Sequence, residues 1–230
     1  MKIPKHLALI LDGNRRWAKQ NGKENVWDGH RAGMDNVEHI VEVCGDLGIE
    51  YVSMFAFSTE NFKRDPMEVK FLFDIFVEFA TNKEKRDKLI NNGVKVKLLG
   101  NLNLFPDRVI KALNQLLEAT ASGDKLTLGM CFGYGGRDEI VQACKSLLRQ
   151  GISPNDVTEE VFEEHLYSHG MPDIDLMIRT SGEYRISNFL LWKLAYAEFI
   201  FSPVMWPDFN EAELKQCLEE FGERERRYGK

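Results

Sequence analysis

Short β-type runs alternate with longer segments of helical periodicity from one end of this chain to the other. The runs are Leu7 to Leu11, Tyr51 to Phe57, Val94 to Leu99, Leu126 to Phe132, Ile174 to Ile178 and Ala197 to Phe201. Helical patterns fall near 31–47, 66–90, 106–121, 137–149 and 158–168, with a last one at about 210–227. Strands separated by a helix return by crossovers, which favour parallel pairing and put helices on the sheet faces. The expectation is an α/β protein: a single open, mostly parallel sheet flanked by helices, forming one domain over residues 1–230. A chain of this size buries roughly three quarters of its unfolded surface, enough for a substantial core. No internal repeat or low-complexity stretch competes with that reading.

The chemistry-bearing residues sit just beyond the end of each run. Asp12-Gly-Asn-Arg-Arg16 comes after the first, Ser58-Thr-Glu-Asn61 after the second, Gly100-Asn101 after the third, Gly133-Tyr-Gly-Gly-Arg137 after the fourth and Arg179-Thr-Ser-Gly-Glu183 after the fifth. Ligands of open α/β sheets bind outside the carboxyl ends of the strands, so these segments are expected to converge. Arg15, Arg16, Arg64, Arg137, Arg179 and Arg185 lie in or beside them. The guanidinium fork matches phosphate oxygens. Gathered at one edge of a chain with net charge −6, these arginines imply a local polyanion site, and the overall charge argues against a nucleic-acid-binding surface.

No Gly-x-x-x-x-Gly-Lys loop is present and no Gly-x-Gly-x-x-Gly comes after a strand, so phosphate is expected to be held by arginines and helix N-termini. Asp12 is the first polar residue after a buried strand. A carboxylate there suits a Mg2+ ion that also touches phosphate, or the cap of a helix around Trp17. His165 and His169 have the i, i+4 spacing of metal ligands, but no third ligand is evident. Cys44, Cys131, Cys144 and Cys217 lack Cys-x-x-Cys spacing and sit in apolar periodic segments, which reads as reduced core thiols of a cytosolic protein. The first apolar run is stopped by Asp12, too soon for a signal sequence or a membrane span.

Asp65-Pro-Met-Glu68 supplies an N-cap, a proline at the first helical position and a glutamate at the third, so a helix opens there for structural reasons. Its body is unusually apolar. Val69, Phe71, Leu72, Phe73, Ile75, Phe76, Val77, Phe79 and Ala80 leave a narrow polar stripe at Lys70, Asp74 and Glu78. Packing on one sheet face does not consume that surface, so a hydrocarbon ligand, a subunit partner or a neighbouring helix can take the rest.

Taken in order, five motifs resemble the cis-prenyltransferase family, which includes undecaprenyl diphosphate synthase and the dehydrodolichyl diphosphate synthases. They are His6-Leu-Ala-Leu-Ile-Leu-Asp-Gly-Asn-Arg-Arg-Trp-Ala18, Gly29-His-Arg-Ala-Gly33, Phe57-Ser-Thr-Glu-Asn61, Arg179-Thr-Ser-Gly-Glu-Tyr-Arg-Ile-Ser-Asn-Phe-Leu-Leu-Trp192 and Trp206-Pro-Asp-Phe209. The resemblance runs from about residue 6 to residue 229. It implies a Mg2+-dependent enzyme with an apolar substrate tunnel, which condenses isopentenyl diphosphate with an allylic diphosphate primer into a Z-polyprenyl diphosphate.

The resemblance also implies roles. Asp12 and Asn61 are catalytic, Asp12 holding Mg2+ and Asn61 accepting a proton. Gly13, Asn14, Arg15, Arg16 and Trp17 surround the allylic diphosphate, with His30. Ser58, Thr59, Glu60, Phe62 and Arg64 belong to a loop that closes on substrate. Arg179, Arg185, Ile186 and Ser187 take isopentenyl diphosphate, and Glu198 completes the metal site from this protomer or the other. A homodimer is implied, with Ile186 to Met205 and Arg227-Tyr-Gly229 at or near the two-fold interface, as are a cytoplasmic location and peripheral membrane contact through the lipid product. No Asp-Asp pair occurs, which separates the chain from the trans-prenyltransferases and their D-D-x-x-D motifs. The chain departs from the family pattern at Val26, where an Arg is usual, at Tyr184, where many bacterial members have His, and at Gly133, which replaces a common Asn. Two other readings stay open: a non-head-to-tail condensation of two allylic diphosphates, and a catalytically silent partner subunit. The presence of Asp12, Asn61, Arg179 and Arg185 speaks against the second.

Overall fold

The computed structural model describes residues 2–224. β1 (His6–Ile10) shows why the sheet is covered on both sides: Leu7 and Leu9 enter one core, Ala8 and Ile10 the other, and all five residues are buried. Period-two alternation with both faces apolar demands helices above and below. The chain continues through α1 (Asn14–Gln20) and α2 (Asp28–Asp46) to β2 (Tyr51–Ser58), then α3 (Pro66–Thr81) and α4 (Lys83–Asn91) to β3 (Val94–Leu99). α5 (Asp107–Ala119) precedes β4 (Leu126–Tyr134). α6 (Gly136–Gln150) and α7 (Glu159–Glu163) lead to β5 (Leu176–Arg179), β6 (Glu198–Phe201) and α8 (Glu211–Glu223).

The six strands lie in the order β3-β4-β2-β1-β5-β6, and every pairing is parallel. The carboxyl ends therefore share one edge. β1, β2 and β5 are central, so Asp12, the Ser58–Asn61 turn and Arg179 leave the sheet side by side.

The expected helix over 66–90 is two helices. Asn82, at φ −65 and ψ 118, leaves the helical region and accepts the Lys85 N–H on its side chain, ending α3 and capping α4. The expected helix over 158–168 stops at Glu163, where the buried Glu139 carboxylate accepts the Ser168 N–H instead. His165 consequently lies beyond α7, and its Nδ1 sits 2.8 Å from Ser146 Oγ. Three of the cysteines are buried, but Cys144 is exposed on the outer face of α6 and is not a core thiol. Residues 225–227, expected to extend the last helix, and the Arg227-Tyr-Gly229 element lie outside the described residues.

α3 covers the sheet with an aromatic layer. Phe73 and Phe76 of α3 meet Phe57, Phe105 and Phe132 with ring centroids 4.8–6.0 Å apart. Such tilted and edge-to-face contacts add roughly 0.5–1.5 kcal/mol per pair beyond the area they bury.

Candidate active site

The turn after β1 sets the geometry. Gly13 has φ 103, a left-handed conformation, and a Cβ there would lie 2.9 Å from Ser181 Cβ. Only glycine lets the chain turn this sharply against the loop after β5. α1 then packs tightly on α2, where a Cβ on Gly29 would fall 1.9 Å from the Asn14 carbonyl oxygen. Asn14, Arg15 and Arg16 are thereby held at the mouth of a cleft of about 680 Å3 at the carboxyl edge of the sheet.

Asp12, Gly13, Asn14, Arg15, Arg16, His30, Ser58, Glu60, Asn61, Arg64, Arg179, Arg185 and Ser187 all line this cleft. Arg179 is its anchor. The side chain is 4% exposed, Nη2 donates to Asp12 Oδ2 at 2.7 Å, and Nη1 donates to Ser187 Oγ at 2.8 Å and to the Arg185 carbonyl at 2.5 Å. Among the described residues its Nε has no hydrogen-bond partner, and neither does the buried Asn14 Oδ1. The Asp12 carboxylate does not cap α1: Oδ1 accepts the Gly13 N–H at 2.7 Å and Oδ2 takes Arg179. Glu183 accepts from both Arg16 and Arg185.

Asn61 Oδ1 accepts the Ser58 N–H at 3.0 Å in a reciprocal capping box that closes the turn after β2. Burial raises the Glu60 pKa, but its own backbone N–H and hydrogen bonds from Asn188, Ser58 and Thr59 outweigh that and hold the carboxyl below its usual range.

Five residues expected to hold substrate or metal do not line the cleft. Trp17 turns toward the 206–208 turn, where Nε1 donates to Asp208 at 2.7 Å. Thr59 bonds to the neighbouring Glu60. Phe62 packs into the aromatic layer, 4.8 Å from Phe57, and Ile186 packs on the smaller core under the sheet. Glu198 is the first residue of β6, level with Leu176 and hence with Leu7 of β1. That places it roughly 15 Å along the strand direction from Asp12 at ~3.3 Å per residue. Its carboxylate accepts Arg224 Nη1 at 3.0 Å. Glu198 therefore cannot complete an ion site with Asp12 of its own chain. Arg137, also expected at the edge, contributes its backbone N–H, to Asn188.

Two residues in or beside the site escaped the sequence reading. Glu68, read as a helix-start residue, is a buried carboxylate: Oε1 lies 3.1 Å from both His30 Nε2 and Arg64 Nη1, and Oε2 lies 3.6 Å from Arg15 Nη1. It orients three cleft residues at once. Burial lowers the His30 pKa, opposed by the Glu68 hydrogen bond and assisted by Arg64 and Arg15, so the imidazole is neutral at pH 7. The other is Asn188, which also lines the cleft.

Below the cleft lies an apolar pocket of about 60 Å3, which shares Leu11, Phe55, Ala56 and Leu72 with it and continues to Val37, Ile75, Phe76 and Met130. That volume is about two waters at ~30 Å3 each.

A polyanion-binding edge resting on hydrocarbon side chains, at the carboxyl end of a parallel sheet, defines an α/β enzyme for amphiphilic substrates with phosphate-type heads. Residues 10–229 match the sequence model of the family described as "Putative undecaprenyl diphosphate synthase". The chain belongs to this family of prenyltransferases. It is 45% identical over 232 residues to an isoprenyl transferase of Clostridium perfringens, covering 99% of this chain and 90% of the relative. Its fold matches lavandulyl diphosphate synthase from Lavandula x intermedia, solved in complex with dimethylallyl diphosphate, with a TM-score of 0.93 at 34% identity over 99% of this chain and 98% of that one. It also matches a probable undecaprenyl diphosphate synthase from Campylobacter jejuni, with a TM-score of 0.82 at 33% identity over the whole of both chains.

Proposed function

We propose that this isoprenyl transferase condenses isopentenyl diphosphate head-to-tail with an allylic diphosphate and releases a Z-polyprenyl diphosphate. The observation that carries the reading is the wall of Leu11, Phe55, Ala56 and Leu72 shared by the arginine-lined cleft and the small apolar pocket, which sets apolar side chains directly beside the phosphate-type donors. Asn14, Arg15, Arg16 and Arg64 take the allylic diphosphate, with neutral His30 as a hydrogen-bonding partner. Arg179, Arg185 and Ser187 take isopentenyl diphosphate, and the unpartnered Arg179 Nε is a donor suited to a phosphate oxygen. The allylic C–O bond breaks, the isopentenyl double bond attacks the developing cation, and the proton lost from the adjacent carbon passes to Asn61 or to the departing pyrophosphate. Stabilising that pyrophosphate with fixed cationic donors is the main electrostatic task.

The residues present fit Mg2+. Asp12 is a partly exposed carboxylate beside cationic phosphate binders, and Mg2+ typically takes one or two carboxylates and completes its shell with phosphate oxygens and water. Bound there with substrate, the ion would neutralise charge on the leaving group. Glu198 of a second copy would supply another carboxylate, which favours a homodimer formed at the β6 edge. Tyr184 and Tyr196, 78% and 71% exposed, lie in this region of the chain. No described helix is long and apolar enough to cross a membrane. The family resemblance is what supports proposing a cytoplasmic enzyme that meets its lipid product at the membrane surface.

Incubation with labelled isopentenyl diphosphate and separate C5, C10, C15 and C20 primers, with and without chelator, tests this. Chelator-sensitive growth of Z-products is expected. Product from dimethylallyl diphosphate alone would favour non-head-to-tail coupling, and no incorporation with any primer would overturn the reading.

A further inference from the structure

Three segments far apart in sequence meet at Asn188. Its backbone oxygen accepts the Gly136 N–H at 2.7 Å, its Oδ1 accepts the Arg137 N–H at 2.9 Å, and its Nδ2 donates to Glu60 Oε1 at 3.0 Å. The amide orientation is dictated by its partners, because a backbone N–H can only donate and a carboxylate can only accept.

The backbone here is as specific as the side chain. Ser187 and Asn188 are consecutive left-handed residues, at φ 49 and φ 66. Asparagine tolerates that conformation better than most residues, and non-glycine residues hold it when their surroundings over-determine it. The turn brings Ser187 Oγ within 2.8 Å of Arg179 Nη1. The strap from Arg185 to Asn188 is thus fastened to Arg179 at one end and to Glu60 at the other, and Glu60 shares its turn with Asn61. Gly135 closes the gap beneath, since a Cβ there would lie 2.9 Å from Asn188 Nδ2 and 2.7 Å from Thr59 Oγ1.

We propose that Asn188 is a positioning residue for the condensation: its amide sets the strap that carries Arg185 and Ser187 in register with the Glu60–Asn61 turn. The inference rests on the function proposed above, in which that strap takes isopentenyl diphosphate and Asn61 faces the carbon that loses its proton. Asn14, Arg15 and Arg16 have no hydrogen bond to Asn188 among those described. Its loss should therefore fall on one substrate.

Two variants test this in the full-length protein. Asn188→Asp keeps a residue tolerant of the left-handed region and the acceptor for Arg137 N–H, but sets a second carboxylate against Glu60. Asn188→Gly keeps the backbone and removes the whole amide. Each should raise the KM for isopentenyl diphosphate or lower kcat by about tenfold, the factor for ~1.4 kcal/mol and one charge-assisted hydrogen bond, while the allylic KM changes less than about twofold. Melting midpoints should stay within about 3 °C of wild type. Wild-type constants in both variants would overturn the proposal, as would equal losses for both substrates that track the melting midpoint. Wild-type turnover separates the two claims. If wild type incorporates no isopentenyl diphosphate, the function and this inference fall together; if it does and the variants match it, this inference falls alone.

Discussion

Arg179 Nη2 lies 2.7 Å from Asp12 Oδ2 and joins a nearly buried guanidinium to a carboxylate that is about a third exposed in the cleft. The pair is therefore both a structural contact and part of the reactive surface, and substitutions at Asp12 must be chosen to separate the two.

Asp12→Asn removes the charge and leaves one acceptor oxygen, enough for Arg179 but not also for the Gly13 N–H. Turnover should fall more than tenfold, more than ~1.4 kcal/mol of barrier, while the urea midpoint changes little. Asp12→Ala should also lose roughly 1–3 kcal/mol of stability, because it leaves a buried guanidinium short of a partner, a cost reduced by the exposure of Asp12. An Asn variant with more than a tenth of wild-type kcat at saturating Mg2+ would remove the charge from the mechanism.

Glu68 is expected to matter for binding more than for folding. Glu68→Gln leaves one acceptor and turns an NH2 group toward His30, Arg64 or Arg15, so those side chains lose their common anchor. The KM for the allylic primer should rise by about tenfold, on the scale of one hydrogen bond to a charged group. Steady-state titration of primer at fixed isopentenyl diphosphate decides it, and an unchanged KM would return Glu68 to a purely structural role.

The four phenylalanines of α3 separate by position. Phe76 lines the apolar pocket, Phe73 and Phe79 are buried in the core, and Phe71 meets Trp27 in a tilted contact with ring centroids 5.7 Å apart. Phe76→Ala should lengthen the products by opening the pocket floor. Phe73→Ala and Phe79→Ala should mainly destabilise, by roughly 3–5 kcal/mol, and Phe71→Ala should do neither strongly. Chromatographic sizing beside denaturant melts would show it, and unchanged lengths in all four would exclude α3 from length control.

Acid should weaken the fold through His6. Its Nδ1–H donates to the Pro172 carbonyl at 2.7 Å and Nε2 faces Ser53 Oγ at 2.8 Å, so the ring is built in as neutral. Burial pushes its pKa down to about 4. The unfolded chain takes up this proton near pH 6.5 and the folded chain only near 4, so the stabilisation is whole above about 6.5 and erodes as pH falls toward 4. The loss is of order 3 kcal/mol, and His30, shifted in the same direction, adds to it. Melting curves from pH 7.5 to 4.5 should show a shallower decline for His6→Gln than for wild type, from a lower starting point. Parallel slopes would acquit His6.

Shared sites predict complementation between subunits. If Glu198 of one copy serves Asp12 of the other, mixed dimers of Asp12→Asn and Glu198→Gln chains contain one site with neither defect. Refolding the two inactive variants together should then restore part of the activity. A monomer by light scattering with full turnover would sink the dimer, and inactive mixtures would show that Glu198 does not act across it.

The sheet was legible because each strand is a short apolar run bounded by a polar or glycine-rich turn, and the parallel rule places all those turns at one edge. Asp12, the Ser58–Asn61 turn and Arg179 were readable for that reason. Glu68 was not, since its sequence neighbourhood fully explains a glutamate at a helix start, and only folding brings His30 and Arg15 to it. Asn188 was hidden similarly, because a left-handed pair without glycine leaves no local signature. Glu198 could be placed only through strand register, which moved it to the far end of the sheet. Asn82 divided a helix whose periodicity ran on without interruption.

β1 leaves the ribosome long before β5, one of its two neighbours in the sheet. The partners Asp12 and Arg179 are 167 positions apart. At roughly 5–20 residues per second, on the order of ten seconds or more passes before the central strand can be paired on both sides. During synthesis the nascent chain carries an apolar strand with an open edge and no completed charge pair. A ribosome that stalls before codon 176 leaves a product with no reactive cleft and an adhesive flank, a substrate for chaperones and proteases instead of a partly working enzyme.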